Sequence, residues 1–192
     1  MLIAIIVVVV LVAIVGFVVV GFNKLRTTDI GAQEALGGID VQLTRRADLI
    51  PNLVDTVKGY AAHEREVFEE ITKARSQVQA AAAGSDVPAK AAADAQLQGA
   101  LIRLNAVAEA YPDLKASNNF LALQNELSDT EDKIQASRRF YNMTVRDLNV
   151  KVDQFPSSMI AGFGNFQKRE FFELDDATDR EVPAVSFTNP PA

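Results

Sequence analysis

RRADLIPNLVDTVKGYAAHE, from Arg45 to Glu64, sets apolar residues at helical spacing around a proline, with two arginines in front and the chain's single histidine, His63, near the end. Its reading decides how many helices the chain has. Leu43, Arg46 and Ile50 keep a three-and-four spacing through the stretch, which fits one long helix kinked at Pro51. A proline inside a helix removes a backbone hydrogen bond and crowds the carbonyl four residues earlier, at about 3 kcal/mol. Asp48 offers another solution. As an N-cap it accepts from amides of the next turn, and Pro51 then falls at the third helical position, where its missing N–H has no intrahelical partner to lose. The residues favour a tight turn at Arg46 to Asp48, with the kinked helix as the alternative.

Toward the N-terminus lies LIAIIVVVVLVAIVGFVVVGF, Leu2 to Phe22, without a charge. At about 1.5 Å per residue it spans a hydrocarbon core of roughly 30 Å. The run lacks a basic n-region and is longer than the apolar core of a cleaved signal, so it is expected to stay as a single transmembrane anchor over residues 1–23. Lys24 and Arg26 follow it and no basic side chain precedes it. That asymmetry predicts a short N-terminus outside and the body in the cytoplasm.

Past Glu64, the same spacing continues through Val67, Ile71, Ala74 and Val78 to a break at Gly84, with Ser85 or Asp86 placed to cap a helix that carries Pro88 in its first turn. A third stripe runs Leu97, Leu101, Leu104, Ala108, Tyr111 and is closed by Pro112; a fourth runs from Phe120 to Phe155, capped by Ser117 or Asn118 and stopped by Pro156. These stripes predict an all-α protein: a coiled-coil-like four-helix bundle over 24–158, with helices near 25–46, 49–82, 88–110 and 118–155. The first two helices would be unequal, about 33 and 48 Å long, a mismatch the kinked helix avoids. Residues 159–192 are expected to form an extended tail against the bundle, with VPAVSF at Val182–Phe187 as a short strand or extended segment and the last residues disordered.

Within the stripes, Asp29, Arg46, Glu64, Glu131 and Arg138 fall at core-type positions. Buried charges need partners, so these residues read as interhelical ion pairs or, more sharply, as a polar site inside the bundle. Known chemistries do not fit. A di-iron bundle needs two Glu-x-x-His pairs, and a zincin helix needs two histidines; His63 stands alone and has no acid three residues before it. With no cysteine, thiolate metal sites and disulfides are excluded, and neither a nucleophile elbow nor a phosphate loop is present. No cofactor, metal or catalytic residue is assigned. A net charge of −6 with 7% aromatic residues gives no footprint for nucleic acid.

RRADLIPNLVDTVKGYAAHE, together with Ala74-Arg75, EAYPDL at Glu109–Leu114, FLALQNELSDTEDKIQASRRFYN at Phe120–Asn142 and Phe155-Pro156, resembles the LemA family of bacterial membrane proteins. The resemblance covers nearly the whole chain after the anchor. It implies a single-pass protein with an antiparallel, up-and-down four-helix bundle facing the cytoplasm and no established enzymatic activity, and it supports the turn near Asp48. Family positions that match here are Arg46, Asp48, Pro51, Asn52, His63, Glu64, Arg75, Glu109, Tyr111, Pro112, Glu131, Arg138, Tyr141 and Asn142. Of these, Arg46, His63, Glu64, Arg75, Glu109, Glu131, Arg138 and Asn142 are expected to form a buried structural polar network, and Asp48 and Pro51 the helix cap and turn. The expected function is a membrane-anchored scaffold that associates with itself or with other proteins; the alternatives are a sensor that holds a small ligand in the polar network, and an enzyme using His63 and Glu64.

Overall fold

A computed structural model describes residues 1–173. It is all-helical over that range: α1 (Leu2–Lys58), α2 (Arg65–Ala83), α3 (Val87–Glu109), the single-turn α4 (Pro112–Lys115), α5 (Asn118–Asp153) and the short α6 (Ser157–Phe163). The expected strand or extended segment at Val182–Phe187 and the expected disordered end lie outside the described residues.

The expected turn at Arg46–Asp48 is absent. α1 is a single helix of 57 residues with Pro51 in its interior, so Asp48 and Pro51 are neither cap nor turn. The proline leaves the carbonyl of Ala47, four residues earlier and fully buried, without its helical donor. Arg75 of α2 supplies the replacement: its Nε donates to the Ala47 oxygen at 2.9 Å. A tertiary hydrogen bond thus offsets the main cost that argued for a turn. The reversal comes later, at Gly59–Glu64, where the expected second helix was continuous. There Gly59 weakens the helix and Ala61, small enough to bury completely, seats the turn, with its amide donating to Val57 O at 2.9 Å. The first two helices stay unequal in length, now with α2, at 19 residues or about 28 Å, as the shorter one.

The core is built from one face of each long helix. Leu25, Ile39, Leu43, Ile50 and Leu53 of α1 meet Ile71 and Val78 of α2, Leu97 and Leu104 of α3, and Phe120, Ile134, Val145 and Leu148 of α5, all buried. α1 packs chiefly on α5, a helix of 36 residues, and α2 packs on both α1 and α3. Asp86 caps α3 by accepting from the Ala89 amide at 3.0 Å, with Pro88 in the first turn, as the sequence implied.

No break divides the apolar run from the body: the same α1 carries both. Its apolar residues from Leu2 to Val20 are exposed throughout, whereas burial begins at Leu25. α1 is the one described helix long and apolar enough to cross a membrane.

Candidate functional site

Four helices converge at Arg46 and Ala47, midway along the body half of α1. The Arg46 guanidinium is only 4% exposed, and its Nη1 lies 2.9 Å from Asp94 Oδ1 of α3 and 2.8 Å from Glu131 Oε2 of α5. Its Nη2 donates to Gln98 of α3. One residue on, Ala47 receives Arg75 of α2. On α5, Gln135 Nε2 donates to Glu131 Oε1 at 2.7 Å and steadies that carboxylate. Two anions therefore share one cation. Burial pushes the Asp94 carboxyl above the usual carboxylate range; Arg46 pulls it back, and Glu131, the second anion on the same guanidinium, pushes it up again. The Arg46 Nε and the Gln42 Oε1 one turn earlier are buried without a hydrogen-bond partner among the described residues. Beside the junction lies a cleft of about 310 Å³, lined in part by Arg46, Gln98, Asn105, Gln124 and Glu131.

A second polar cluster fixes the chain after α6. Asn149 and Asn142, seven residues apart on α5, each grip a backbone unit of the tail from both sides. The Arg169 amide donates to Asn149 Oδ1 and the Asn149 Nδ2 to the Arg169 carbonyl, both at 2.9 Å. The Phe172 amide donates to Asn142 Oδ1 at 2.8 Å, and the Asn142 Nδ2 to the Phe172 carbonyl at 3.3 Å. The spacing works because seven helical residues rise about 10.5 Å and three extended residues about 10 Å. The tail runs antiparallel to α5 in that register. Between the two clamps, Tyr141 Oη donates to the Glu170 carbonyl at 2.8 Å, and burial pushes its phenol pKa upward. Phe172 is buried with the Arg138 guanidinium 5.0 Å from its ring centroid, and Arg169 pairs with Asp29 of α1 at 2.8 Å.

The eight residues expected to form one buried network thus divide. Arg46 and Glu131 meet directly, and Arg75 joins them at the adjacent carbonyl. Arg138 and Asn142 serve the tail clamp instead. His63 is exposed in the turn after α1, Glu64 is half-buried at the N-cap of α2 without a side-chain capping bond, and Glu109 is exposed at the end of α3. His63 and Glu64 stand apart because the turn falls at them rather than at Asp48, and Glu109 because it lies at the last turn of α3.

Sequence reasoning missed Asp94, Gln98 and Lys90. Lys90 is fully buried; its Nζ donates to Asp40 of α1 and, at 3.1 Å, to the Ala82 carbonyl at the end of α2. A signal was present. Carrying the α3 stripe back from Leu97 by three and by seven residues reaches Asp94 and Lys90. Asn149 was likewise one heptad from Asn142.

The sequence pattern of the LemA family matches residues 35–187. The chain is 34% identical over 148 residues to "Protein LemA" of Metamycoplasma hominis, covering 76% of this chain and 66% of that protein. It is also 25% identical over 195 residues to "Magnetosome protein MamQ" of Magnetospirillum gryphiswaldense, covering 90% of this chain and 72% of the relative. A second such relative, "Magnetosome protein MamQ 2" of Paramagnetospirillum magneticum, is 24% identical over 194 residues, covering 89% of this chain and 71% of that one. The matched span contains Arg46, Pro51, Arg75, Asp94, Glu131 and both tail clamps. This chain belongs to the LemA family.

Proposed function

We propose that the protein is a membrane-anchored interaction scaffold, in which α1 is at once the transmembrane anchor and the spine of an antiparallel, up-and-down four-helix bundle. The observation that carries this reading is the continuity of α1. Its exposed, uncharged first part and its core-forming second part are one helix of 57 residues, about 85 Å long. Such a helix holds the body at a set height and tilt above the bilayer, and confinement to a surface raises its effective concentration for partners. The buried ion pairs at Arg46 and at Lys90 then serve register and rigidity. Lys24 and Arg26, just past the apolar run, support a cytoplasmic body at a bacterial inner membrane, with the N-terminal side of the run outside. The proposed units are the anchor at 1–23, the bundle at 24–158 and the tail from 159 onward. No catalysis is assigned to His63, Glu64 or any other residue.

A second reading, a small polar ligand in the cleft beside Arg46, draws on that buried, unpartnered Nε. It ranks below the first because both Nη groups are already engaged by Asp94, Gln98 and Glu131. Photo-crosslinking from exposed positions on α3 and α5 in native membranes tests the scaffold. Discrete adducts with neighbours or with a second copy are expected, and only uncrosslinked monomer across all positions would overturn it.

A further inference from the structure

α6 lies where the apolar run of α1 ends. Ile160, buried, packs against Gly21 so closely that a Cβ there would sit 2.5 Å from its Cδ1. Just beyond, Phe166 meets Phe22 edge-on with ring centroids 5.4 Å apart, and Gly164 is held against both rings. One side of the segment is thus spent on α1. Its other side is apolar and uncovered: Phe155 is 75% exposed, Met159 59% and Phe163 93%. Three large, exposed apolar side chains within nine residues are the kind of patch that marks a contact site.

The surroundings are basic although the chain as a whole carries −6. A cleft of about 590 Å³ opens between Gly21, Lys24, Arg146, Asp147, Lys151 and Ser157. Among the described residues Lys24, Arg146 and Lys151 have no carboxylate partner; Lys151 Nζ donates only to the Thr28 hydroxyl, at 2.6 Å. On the other side of α1, Arg26, Lys168 and Arg169 line a second cleft, although these pair with Asp29 and Asp153.

We propose that α6 and Phe155 are a second membrane contact, lying in the interface of the leaflet that α1 leaves, with the Lys24–Arg146–Lys151 cleft taking the headgroup of an anionic phospholipid. The inference rests on reading α1 as the membrane span, because that reading places Gly21 and Phe22 at the hydrocarbon boundary. Apolar side chains of an in-plane helix then enter the headgroup and acyl boundary while basic ones meet anionic headgroups. A lipid surface fits better than a protein groove because the segment is seated on α1 at Gly21 and Phe22, where the exposed apolar run that includes Phe17 and Val18 ends. The contact also fixes the body's rotation about α1, which a single span leaves free.

The chain has no cysteine, so single sites can be labelled in the full-length protein. Val12→Cys in the span, Met159→Cys and Phe163→Cys on α6, and Ile102→Cys on α3 would carry an environment-sensitive fluorophore. The protein is reconstituted in phosphatidylcholine vesicles with and without phosphatidylglycerol, and lipids bearing shallow or deep nitroxide quenchers report depth. The expected result is deep quenching at Val12, shallow quenching with several-fold brighter emission at Met159 and Phe163, and none at Ile102. Shallow quenching should strengthen with phosphatidylglycerol, and that gain should vanish in Lys24→Gln/Arg146→Gln/Lys151→Gln. Quenching at Val12 without quenching at Met159 or Phe163 overturns the second contact while leaving the span intact. Quenching at neither overturns the span and the contact together. Equal shallow quenching in both vesicle types overturns the anionic headgroup.

Discussion

If Arg75 supplies the donor that Pro51 withholds, the two residues must be coupled energetically, and a double-mutant cycle measures that coupling. Arg75→Met keeps most of the aliphatic stem and removes the Nε–H that reaches Ala47 O at 2.9 Å. Ala47 is fully buried, so its carbonyl would be left without a donor, at about 1–3 kcal/mol. In a Pro51→Ala background the new N–H of residue 51 takes back that carbonyl, and the same Arg75→Met change should cost no more than about 0.5 kcal/mol, since Arg75 is then a half-buried side chain with little left to satisfy. The expected coupling is about 1–2 kcal/mol. For a body of this size that is roughly 3–6 °C in melting temperature. Pro51→Ala alone should stabilise the protein, by less than the full 3 kcal/mol helix penalty of proline because the unfolded chain regains freedom. Urea titration of the detergent-solubilised protein by far-UV circular dichroism reads all four corners. An equal cost for Arg75→Met in both backgrounds would refute the compensation, and with it the reason given for a helix that runs through Pro51.

Arg46→Met leaves Asp94 and Glu131 without their shared cation and should cost about 3–4 kcal/mol at neutral pH. Because burial already raises the Asp94 pKa, protonated Asp94 favours folding below the ordinary carboxylate range, and that advantage is lost as pH rises through the raised value. The Arg46→Met deficit should therefore be small near pH 4, grow toward pH 7, and be largely rescued by adding Asp94→Asn; a deficit flat across that range counts against it. At the Lys90 pair the two partners should be unequal. Asp40→Leu strands a fully buried ammonium and should cost about 3 kcal/mol or more, whereas Lys90→Met leaves a partly exposed carboxylate that water can solvate and should cost under about 1 kcal/mol, both read from urea midpoints. Asn149→Ala removes both bonds to Arg169 and should raise amide exchange at residues 166–172 by roughly 10-fold, as about 1.4 kcal/mol of local opening energy is lost, while amides of the α1 core keep their protection.

Much of the fold was legible because it depends on spacing. The apolar run, the α3 cap at Asp86 with Pro88, and the stripes led by Ile39, Leu97 and Ile134 all follow from local pattern. What failed was the weighing of Pro51. Its local cost is visible in the sequence, but the offsetting donor is on another helix, and no local rule connects residue 75 to residue 47. The polar sites were half legible for the same reason. Arg46 and Glu131 stood out as charges in apolar stripes, whereas Asp94 and Lys90 lie upstream of the stripe's first leucine in an alanine-rich stretch, which masked their inward position. Asn142 carried no sign of its partner, since its role depends on a tail segment 30 residues away returning in extended form.

The continuity of α1 from its exposed apolar run through Pro51 into the core is the claim on which the rest depends, and one distance across Pro51 tests it. Glu34 and Asp55 are both exposed on α1, and the cysteine-free chain allows spin labels at Glu34→Cys and Asp55→Cys in reconstituted full-length protein. A single helix through Pro51 places the two backbone sites about 32 Å apart along its axis. A double electron–electron resonance distribution centred near that value, narrow and unchanged between detergent and lipid, is the predicted result. Chain reversal at Arg46–Asp48 would bring the sites to neighbouring helices roughly 10–15 Å apart, and a distribution collapsed to that range would contradict the account.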